Sequence, residues 1–115
     1  KLMRSKIVAL SNNDDFKVLL KKKKISNKYV TIFFGNLSNK NIKKMNISFV
    51  VKKKIGNAVK RNKIKRRLRN IMNDATKKIN INLNYCYLLI ARSSILKASY
   101  HNIKQTLFKE FEKIK

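Results

Sequence analysis

The stretch that decides how this chain folds runs from Lys52 to Arg69 and reads KKKIGNAVKRNKIKRRLR. Ten of its eighteen residues are Lys or Arg, and none is acidic. A run of like charges repels itself, so a folded protein that keeps one needs an anion to offset the repulsion. The plain alternative for any charge run is a solvated surface, and the pattern inside this run decides between the two.

From Asn57 onward the apolar residues recur with the period of an α-helix. They are Ile64, Leu68, Ile71, Met72, Ala75 and Ile79. Asn57 follows Gly56 and can accept hydrogen bonds from the unpaired amides of a first helical turn, so it is the expected N-cap. The pattern therefore predicts a helix that begins after Asn57, runs to about Lys78 and buries one face.

The opposite face of this helix is expected to be cationic. At about 100° per residue, four side chains project away from the apolar stripe. These are Asn62, Lys63, Arg66 and Arg69. Arg61 lies near the line of Ile64 and Leu68 and should point to the edge of the core. The first turn adds free amides and the positive end of the helix dipole, which favour an anion. The helix is thus predicted to hold one face in a core and to offer the other to phosphate.

At these residues the chain resembles a known family. The segment Lys53–Arg69, KKIGNAVKRNKIKRRLR, resembles the signature of the bacterial ribonuclease P protein family. Lys63 stands where the family usually has Arg; it keeps the charge but lacks the planar guanidinium that binds phosphate through two hydrogen bonds. The resemblance covers nearly the whole chain. It extends to Asp15-Phe16, to the strand Tyr29–Phe34, to Tyr87–Arg92 and to Tyr100-x-x-Ile103.

The rest of the chain is predicted to supply three strands and two further helices. The expected elements are an irregular stretch over residues 1–11, a short helix capped by Asn12 or Asn13 and closed by the cations Lys21–Lys24, strands over Ile25–Gly35, Met45–Val51 and Tyr85–Ala91, a loop over residues 35–41, and a last helix capped by Ser99. The apolar stripe of the last helix comprises Tyr100, Ile103, Leu107, Phe111 and Ile114.

Two of the strands carry informative patterns. The strand up to Gly35 is apolar on both faces, as in a strand covered on both sides. In Met45–Val51 apolar residues alternate with polar ones, so the face of Asn46 and Ser48 is expected in water. A wet sheet face beside a basic helix can be the floor for a single strand of nucleic acid.

These elements make the fold class α+β in one layered domain spanning residues 1–115. The resemblance implies more: a single-layer four-stranded sheet with helices in the order αβββαβα, as in the second domain of ribosomal protein S5. It also implies an extra short strand around Lys24–Lys28 and a left-handed βαβ crossover through the basic helix. Such crossovers are ordinarily right-handed, so the hand comes from the resemblance alone.

Composition limits the kind of partner. The chain has 115 residues, 30 Lys or Arg against five Asp or Glu, and a formal net charge of +25. A bias toward A- and T-rich codons raises the number of Lys residues but should raise the number of Glu residues as well. The shortage of acidic residues is therefore the more informative part of the composition. It indicates a polyanionic partner, either nucleic acid or, less favoured, an anionic membrane surface. No apolar stretch approaches the roughly 20 residues of a membrane span, and the start is too polar for a signal peptide.

No constellation in the sequence supports catalysis by the protein. Asp14 and Asp15 diverge by about 100° on a helix and cannot act as an acid–base pair. His101 is the single histidine and lacks partners at metal-ligand spacing. Cys86 is the single cysteine and lies in an apolar run, so it is expected to be buried and inert. Five scattered acids cannot build a two-metal nuclease site.

The resemblance implies a subunit of ribonuclease P, in which an RNA subunit holds Mg²⁺ and removes the 5′ leader of precursor tRNA. The protein itself would bind no tight cofactor and contribute no catalytic residue. It would contact the ribonuclease P RNA or the substrate backbone through Lys53, Lys54, Asn57, Lys60, Arg61, Asn62, Lys63, Lys65, Arg66 and Arg69. Phe16, Leu20 and Phe33 would line a cleft for the single-stranded leader, with Phe33 preferred to Ile32 in the strand register.

The same resemblance implies a cytoplasmic protein with no membrane contact and no obligate protein partner. The alternative function is a structural RNA-binding protein such as a ribosomal protein, which composition alone does not separate from the first. A membrane-surface helix is a distant third, because such a helix needs its apolar stripe for lipid and this one needs it for the core.

Overall fold

A five-stranded mixed sheet carries three α-helices in the computed structural model, which describes residues 7–10, 13–37 and 43–114. In chain order the elements are β1 (Ile7–Val8), α1 (Asn13–Leu19), β2 (Lys23–Ser26), β3 (Val30–Gly35), β4 (Met45–Val50), α2 (Ala58–Lys78), β5 (Cys86–Ala91) and α3 (Tyr100–Lys113). The strands lie in the order β1-β4-β5-β3-β2. The pairs β1–β4 and β4–β5 are parallel, and β3 is antiparallel to both β5 and β2.

The α+β class is confirmed, but the prediction of four strands is wrong. The additional strand is β1, which pairs Ile7 with Met45 and Val8 with Asn46. The expectation of an irregular start is therefore wrong for these two residues. Two paired residues are too few to leave a periodic signal in the sequence. After β1 the elements follow the predicted αβββαβα order. The left-handed sense of the β4–α2–β5 crossover stays a prediction.

The strand predicted over Ile25–Gly35 is two strands joined by a tight turn. The turn forms at Asn27, whose side-chain oxygen accepts from the amides of Tyr29 and Val30 at 2.8 and 3.0 Å. Asn favours such turns because its side chain can bond the backbone two residues ahead. The short strand implied by the family around Lys24–Lys28 lies at Lys23–Ser26.

Helices α2 and α3 cover one face of the sheet and form the main core. Five of the six residues predicted for the stripe of α2 are buried: Ile64, Leu68, Ile71, Met72 and Ala75. The sixth, Ile79, is the C-cap and is half-buried. Both predicted caps are confirmed, because the side chain of Asn57 accepts from the Lys60 amide at 2.9 Å and that of Ser99 from the Asn102 amide at 3.1 Å. Tyr100 is the exception on the α3 stripe: it is exposed at the first turn.

Helix α1 covers part of the other face. A second core cluster lies beneath it, made of Leu10, Leu19, Cys86 and Leu88. The expectation that Asn46 and Ser48 face water is wrong, because both are buried. Asn46 is paired with Val8 of β1, and the Leu10 amide donates to the Ser48 hydroxyl at 2.8 Å. Of the two possible caps for α1, Asn13 is the first residue of the helix and Asn12 lies outside the described residues, as do residues 38–41 of the predicted loop.

Candidate nucleic-acid interface

The N-terminal end of α2 is fixed by local hydrogen bonds and by one buried side chain. A 3₁₀ turn at Lys53–Ile55 leads into the helix, and Ile55 is buried in the main core. The Asn57 side chain caps the first turn. The Arg61 Nε donates to the Gly56 carbonyl at 3.2 Å, so this guanidinium closes the turn from the side. The backbone that carries the cations on both sides of Gly56 is therefore held in place by these hydrogen bonds and by the burial of Ile55.

Most of the residues assigned to RNA binding are exposed together along this end of α2. The exposed ones are Lys53, Lys54, Asn57, Lys60, Asn62, Lys63, Arg66 and Arg69, here called the basic ridge. Lys65 and Arg61 are half-buried at its borders. The predicted orientation of Asn62, Lys63, Arg66 and Arg69 away from the core is confirmed. Val59, 77% exposed, is an apolar side chain within the ridge that sequence reasoning did not single out.

The one acidic residue of α2 is neutralised beyond the ridge. The Asp74 carboxylate accepts from Lys104 of α3 at 2.5 Å and from Lys78 at 3.5 Å. The hydrogen bond from Lys104 lowers the pKa of Asp74, and the same bond raises the pKa of Lys104. The pair joins α2 to α3 and leaves the ridge itself without a carboxylate.

A groove of about 310 Å³ connects the ridge to α1. Phe16 of α1 lines one side of it, and Lys65 and Arg69 of α2 line the other. The floor is the outer edge of β4, including Phe49 and Val50. The sequence alone predicts the ridge and the cleft as separate sites, because no local pattern shows that two helices on opposite faces of a sheet meet around one strand edge.

The residues assigned to the leader cleft are placed differently from one another. Phe16 and Phe33 are both half-buried and pack against the cluster beneath α1. Ile32, the rejected alternative, is fully buried in the main core. Leu20 is 48% exposed just after the end of α1. Phe33 therefore lies on the sheet face that α1 covers, and Ile32 lies on the other face. The groove that holds Phe16 is lined by neither Phe33 nor Leu20.

The same face holds further residues that sequence reasoning missed. Ile90 and Val50 are half-buried apolar side chains beside the cluster beneath α1. A second groove, of about 420 Å³, is lined by Thr31, Lys52, Lys54, Ile90, Ala91, Arg92, Ser93 and Ser94. The Arg92 Nη1 donates to the Asn27 carbonyl at 2.8 Å, which ties the groove to the β2–β3 turn. Alternation along β5 was the available signal for Ile90, since it lies two residues after Leu88.

The described part of the chain offers neither a metal cluster nor a membrane-spanning helix. Across residues 7–10, 13–37 and 43–114, no three His, Cys, Asp or Glu side chains lie close enough to hold a metal ion. None of the helices in those ranges has the length and apolar character needed to cross a membrane. The feature that stands out is a cationic helix surface joined to a partly apolar groove, an arrangement suited to nucleic-acid backbone and bases.

Comparisons with known proteins give one consistent answer. The model of the family described as Ribonuclease P matches residues 5–115. The ribonuclease P protein component of Mycoplasma mycoides subsp. mycoides SC is 32% identical over 113 residues, covering 98% of this chain and 100% of the relative. The Staphylococcus aureus RNase P protein superposes with a TM-score of 0.76 at 27% identity, covering 92% and 93% of the two chains. The Thermotoga maritima RNase P protein gives a TM-score of 0.79 at 22% identity, covering 94% and 98%.

Proposed function

Because this chain belongs to the bacterial ribonuclease P protein family, we propose that its basic ridge binds the catalytic RNA and that the face beneath α1 receives the 5′ leader of precursor tRNA. The chain is a protein component of the ribonuclease P holoenzyme and assists 5′ processing of precursor tRNA. The observation that carries the proposal is the groove in which Phe16 faces Lys65 and Arg69.

The ridge supports RNA binding through its charge and its rigidity. Each Lys or Arg that neutralises a phosphate releases condensed counterions, and this release drives binding at low salt. A capped helix holds its side chains at fixed spacing, so less conformational freedom is lost on binding than with a disordered tail. The proposed contacts are Lys53, Lys54, Asn57, Lys60, Arg61, Asn62, Lys63, Lys65, Arg66 and Arg69.

The cleft supports binding of a single strand through Phe16 and Phe33. Both rings are partly open to solvent and pack against the cluster between α1 and the sheet. Stacking of a base on an aromatic ring contributes about 1–3 kcal/mol and tolerates any sequence, which suits leaders that differ between tRNAs. Leu20 is proposed as an apolar contact at the end of α1.

Catalysis itself is assigned to the RNA subunit. The carboxylates needed for a protein-held Mg²⁺ site are not grouped among the described residues, so their donor set does not fit such an ion. We infer that Mg²⁺ is held mainly by the RNA subunit and the substrate, where phosphate oxygens supply the hard ligands this ion prefers. The contribution of the protein is then to bind, to orient and to offset phosphate charge near the metal sites.

The setting of the protein follows from its substrate. We infer that it acts in the cytoplasm, as one ribonuclease P protein domain over residues 1–115, without membrane contact and without an obligate protein partner. The alternative of a ribosomal protein is set aside, because the family match covers residues 5–115.

Reconstitution tests the proposed function directly. Purified chain is mixed with a bacterial ribonuclease P RNA at low Mg²⁺, where RNA alone is slow, and cleavage of precursor tRNA is scored. We expect the chain to raise the cleavage rate at the mature 5′ end. The matched control is the chain with Arg66 and Arg69 both changed to Ala, which should lose most of the stimulation. No stimulation by the folded wild-type chain would contradict the proposal.

A further inference from the structure

The lysine run Lys21–Lys24 joins α1 to the edge of the sheet, and the mechanism above does not use it. Helix α1 ends at Leu19, and the next two residues form a turn in which the Lys22 amide donates to the Leu19 carbonyl at 3.0 Å. Leu19, the last residue of α1, is fully buried in the cluster between α1 and the sheet, and its burial holds the start of the turn in place. Lys23 and Lys24 then open the edge strand β2. The lysine run is therefore part of the ordered turn and edge strand.

The register of β2 on β3 places two lysines of the run, Lys23 and Lys24, on opposite faces of the sheet. Lys24 lies opposite Phe33, and Lys23 lies opposite Phe34. Side chains directly opposite one another in a sheet share a face, with their Cβ atoms about 4.5–5.5 Å apart. Lys24 therefore lies on the face of Phe33, which is the face beneath α1. Lys23 lies on the face of Phe34, a buried residue of the main core.

Lys22 lies on the same face as Lys24, and a glycine makes room for it. Continued by one residue, the register places Lys22 opposite Gly35. A Cβ atom built on Gly35 would lie 2.8 Å from the Cγ of Lys22 and 3.0 Å from its Cβ and Cδ. The aliphatic part of Lys22 thus occupies the space that any other residue at position 35 would fill. Gly35 and Phe33 are two residues apart in β3, so they share a face at a separation of about 7 Å.

The charges of Lys22 and Lys24 are available to a ligand. Both residues are exposed, and neither takes part in the ion pairs found among the described residues. A lysine whose methylene groups lie on the protein surface keeps its ammonium in water while its stem is held in place. Two cations are then spaced along the sheet edge, beside the half-buried ring of Phe33.

We propose that Lys22 and Lys24 form a cationic rim along the β2 edge of the face beneath α1, across the sheet from the Phe16 groove at β4, and bind backbone phosphates of the 5′ leader whose bases stack at Phe16 and Phe33. This inference rests on the proposed function of the cleft. The chemistry recognised is the phosphodiester backbone of a single RNA strand. Lys23 carries the same charge in the same run but lies on the face of Phe34, so it is excluded from the rim.

Two charge-matched double variants test the rim. Holoenzyme reconstituted with Lys22→Met and Lys24→Met is compared with holoenzyme carrying Lys23→Met and Lys109→Met, which removes two exposed charges that do not lie on the face of Phe33. Binding is measured for precursor tRNA with a leader and for leaderless tRNA. A single-strand phosphate contact contributes about 0.7 to the slope of log affinity against log salt, or about 5-fold at 0.1 M salt. We expect the first variant to bind leader-bearing tRNA about 25-fold more weakly, with a slope smaller by about 1.4.

The other variants and the leaderless substrate show whether leader binding depends on net charge or on the positions of Lys22 and Lys24. The second variant should bind both substrates like wild type, and the first should bind leaderless tRNA like wild type. Gly35→Ala keeps every charge but displaces the Lys22 stem, so it should weaken leader binding alone by up to about 5-fold. A thermal melt shows whether Gly35→Ala is folded, and the two double variants decide the matter if it is not.

Equal losses in the two double variants would overturn the rim, because net charge would then explain them. Equal losses on leaderless tRNA would also overturn it. Phe16→Ala separates this failure from failure of the cleft. If Phe16→Ala abolishes leader discrimination while Lys22→Met and Lys24→Met do not affect it, only the rim is wrong. If none of these changes affects discrimination, the cleft itself is wrong.

Discussion

Removal of one guanidinium from the basic ridge should change how RNA binding depends on salt. Arg66 is exposed on α2 and takes part in none of the ion pairs among the described residues. Ala favours helix slightly more than Arg, so Arg66→Ala should leave the fold intact. The variant therefore isolates the interaction of Arg66 with RNA.

The expected magnitude follows from counterion release. A contact with a duplex phosphate contributes about 0.9 to the slope of log affinity against log salt. Loss of one contact should reduce the slope by about 0.9 and weaken binding about 8-fold at 0.1 M salt. The loss should shrink as salt rises, because the contact is electrostatic.

The assay is titration of bacterial ribonuclease P RNA with the chain from about 0.05 to about 0.2 M salt, the range in which the dependence is steep. Lys109→Ala is the matched control: it removes one exposed positive charge from α3, away from the ridge. Its slope should equal that of wild type. The same slope for Arg66→Ala and wild type would refute the ridge, and equal reductions in both variants would show that total charge alone matters.

Three further predictions concern the cleft, the core and the helix–helix ion pair. Phe16→Ala should weaken holoenzyme binding of leader-bearing precursor tRNA by about 1–3 kcal/mol and leave leaderless tRNA unaffected, as measured by competition binding; equal loss on both substrates would contradict the cleft. Leu68→Ala removes a fully buried side chain from α2 and should lower the free energy of unfolding in urea by about 2–5 kcal/mol, whereas Lys63→Ala on the exposed face should change it by less than about 0.5 kcal/mol. Lys104→Met removes the first cause of the lowered pKa of Asp74, so the carboxyl resonance of Asp74 should titrate at higher pH in the variant. Because that pKa is lowered in the folded state, the pair stabilises the fold above the ordinary carboxyl range and its effect is lost as pH falls through the lowered value; an unchanged titration would refute the pairing.

The basic helix could be read almost completely from the sequence. Its N-cap at Asn57, its end at Lys78, its buried stripe and its cationic face are as predicted. All of these depend on residues within one or two turns of each other, because capping and 3.6-residue periodicity are local properties. The signature around Gly56 and Asn57 also lies in this segment, so the family resemblance and the residues proposed for the ridge came from the same local pattern.

The surroundings of the cleft were decided only by tertiary structure. The pairing of β1 with β4 and the burial of Asn46 and Ser48 depend on contacts between residues 38 positions apart, such as Leu10 with Ser48. Alternation along one strand shows which residues share a face but not what covers that face.

Within the run Lys21–Lys24, strand register likewise places Lys24 on the face of Phe33 and Lys23 on the face of Phe34. In the sequence these four lysines are equivalent, since all carry one charge and stand side by side. The sequence by itself therefore determined the basic helix α2, which carries the cations, and the family to which the chain belongs. Only the packing of distant segments determined which side chains meet at the groove, because that depends on pairings that no local period encodes.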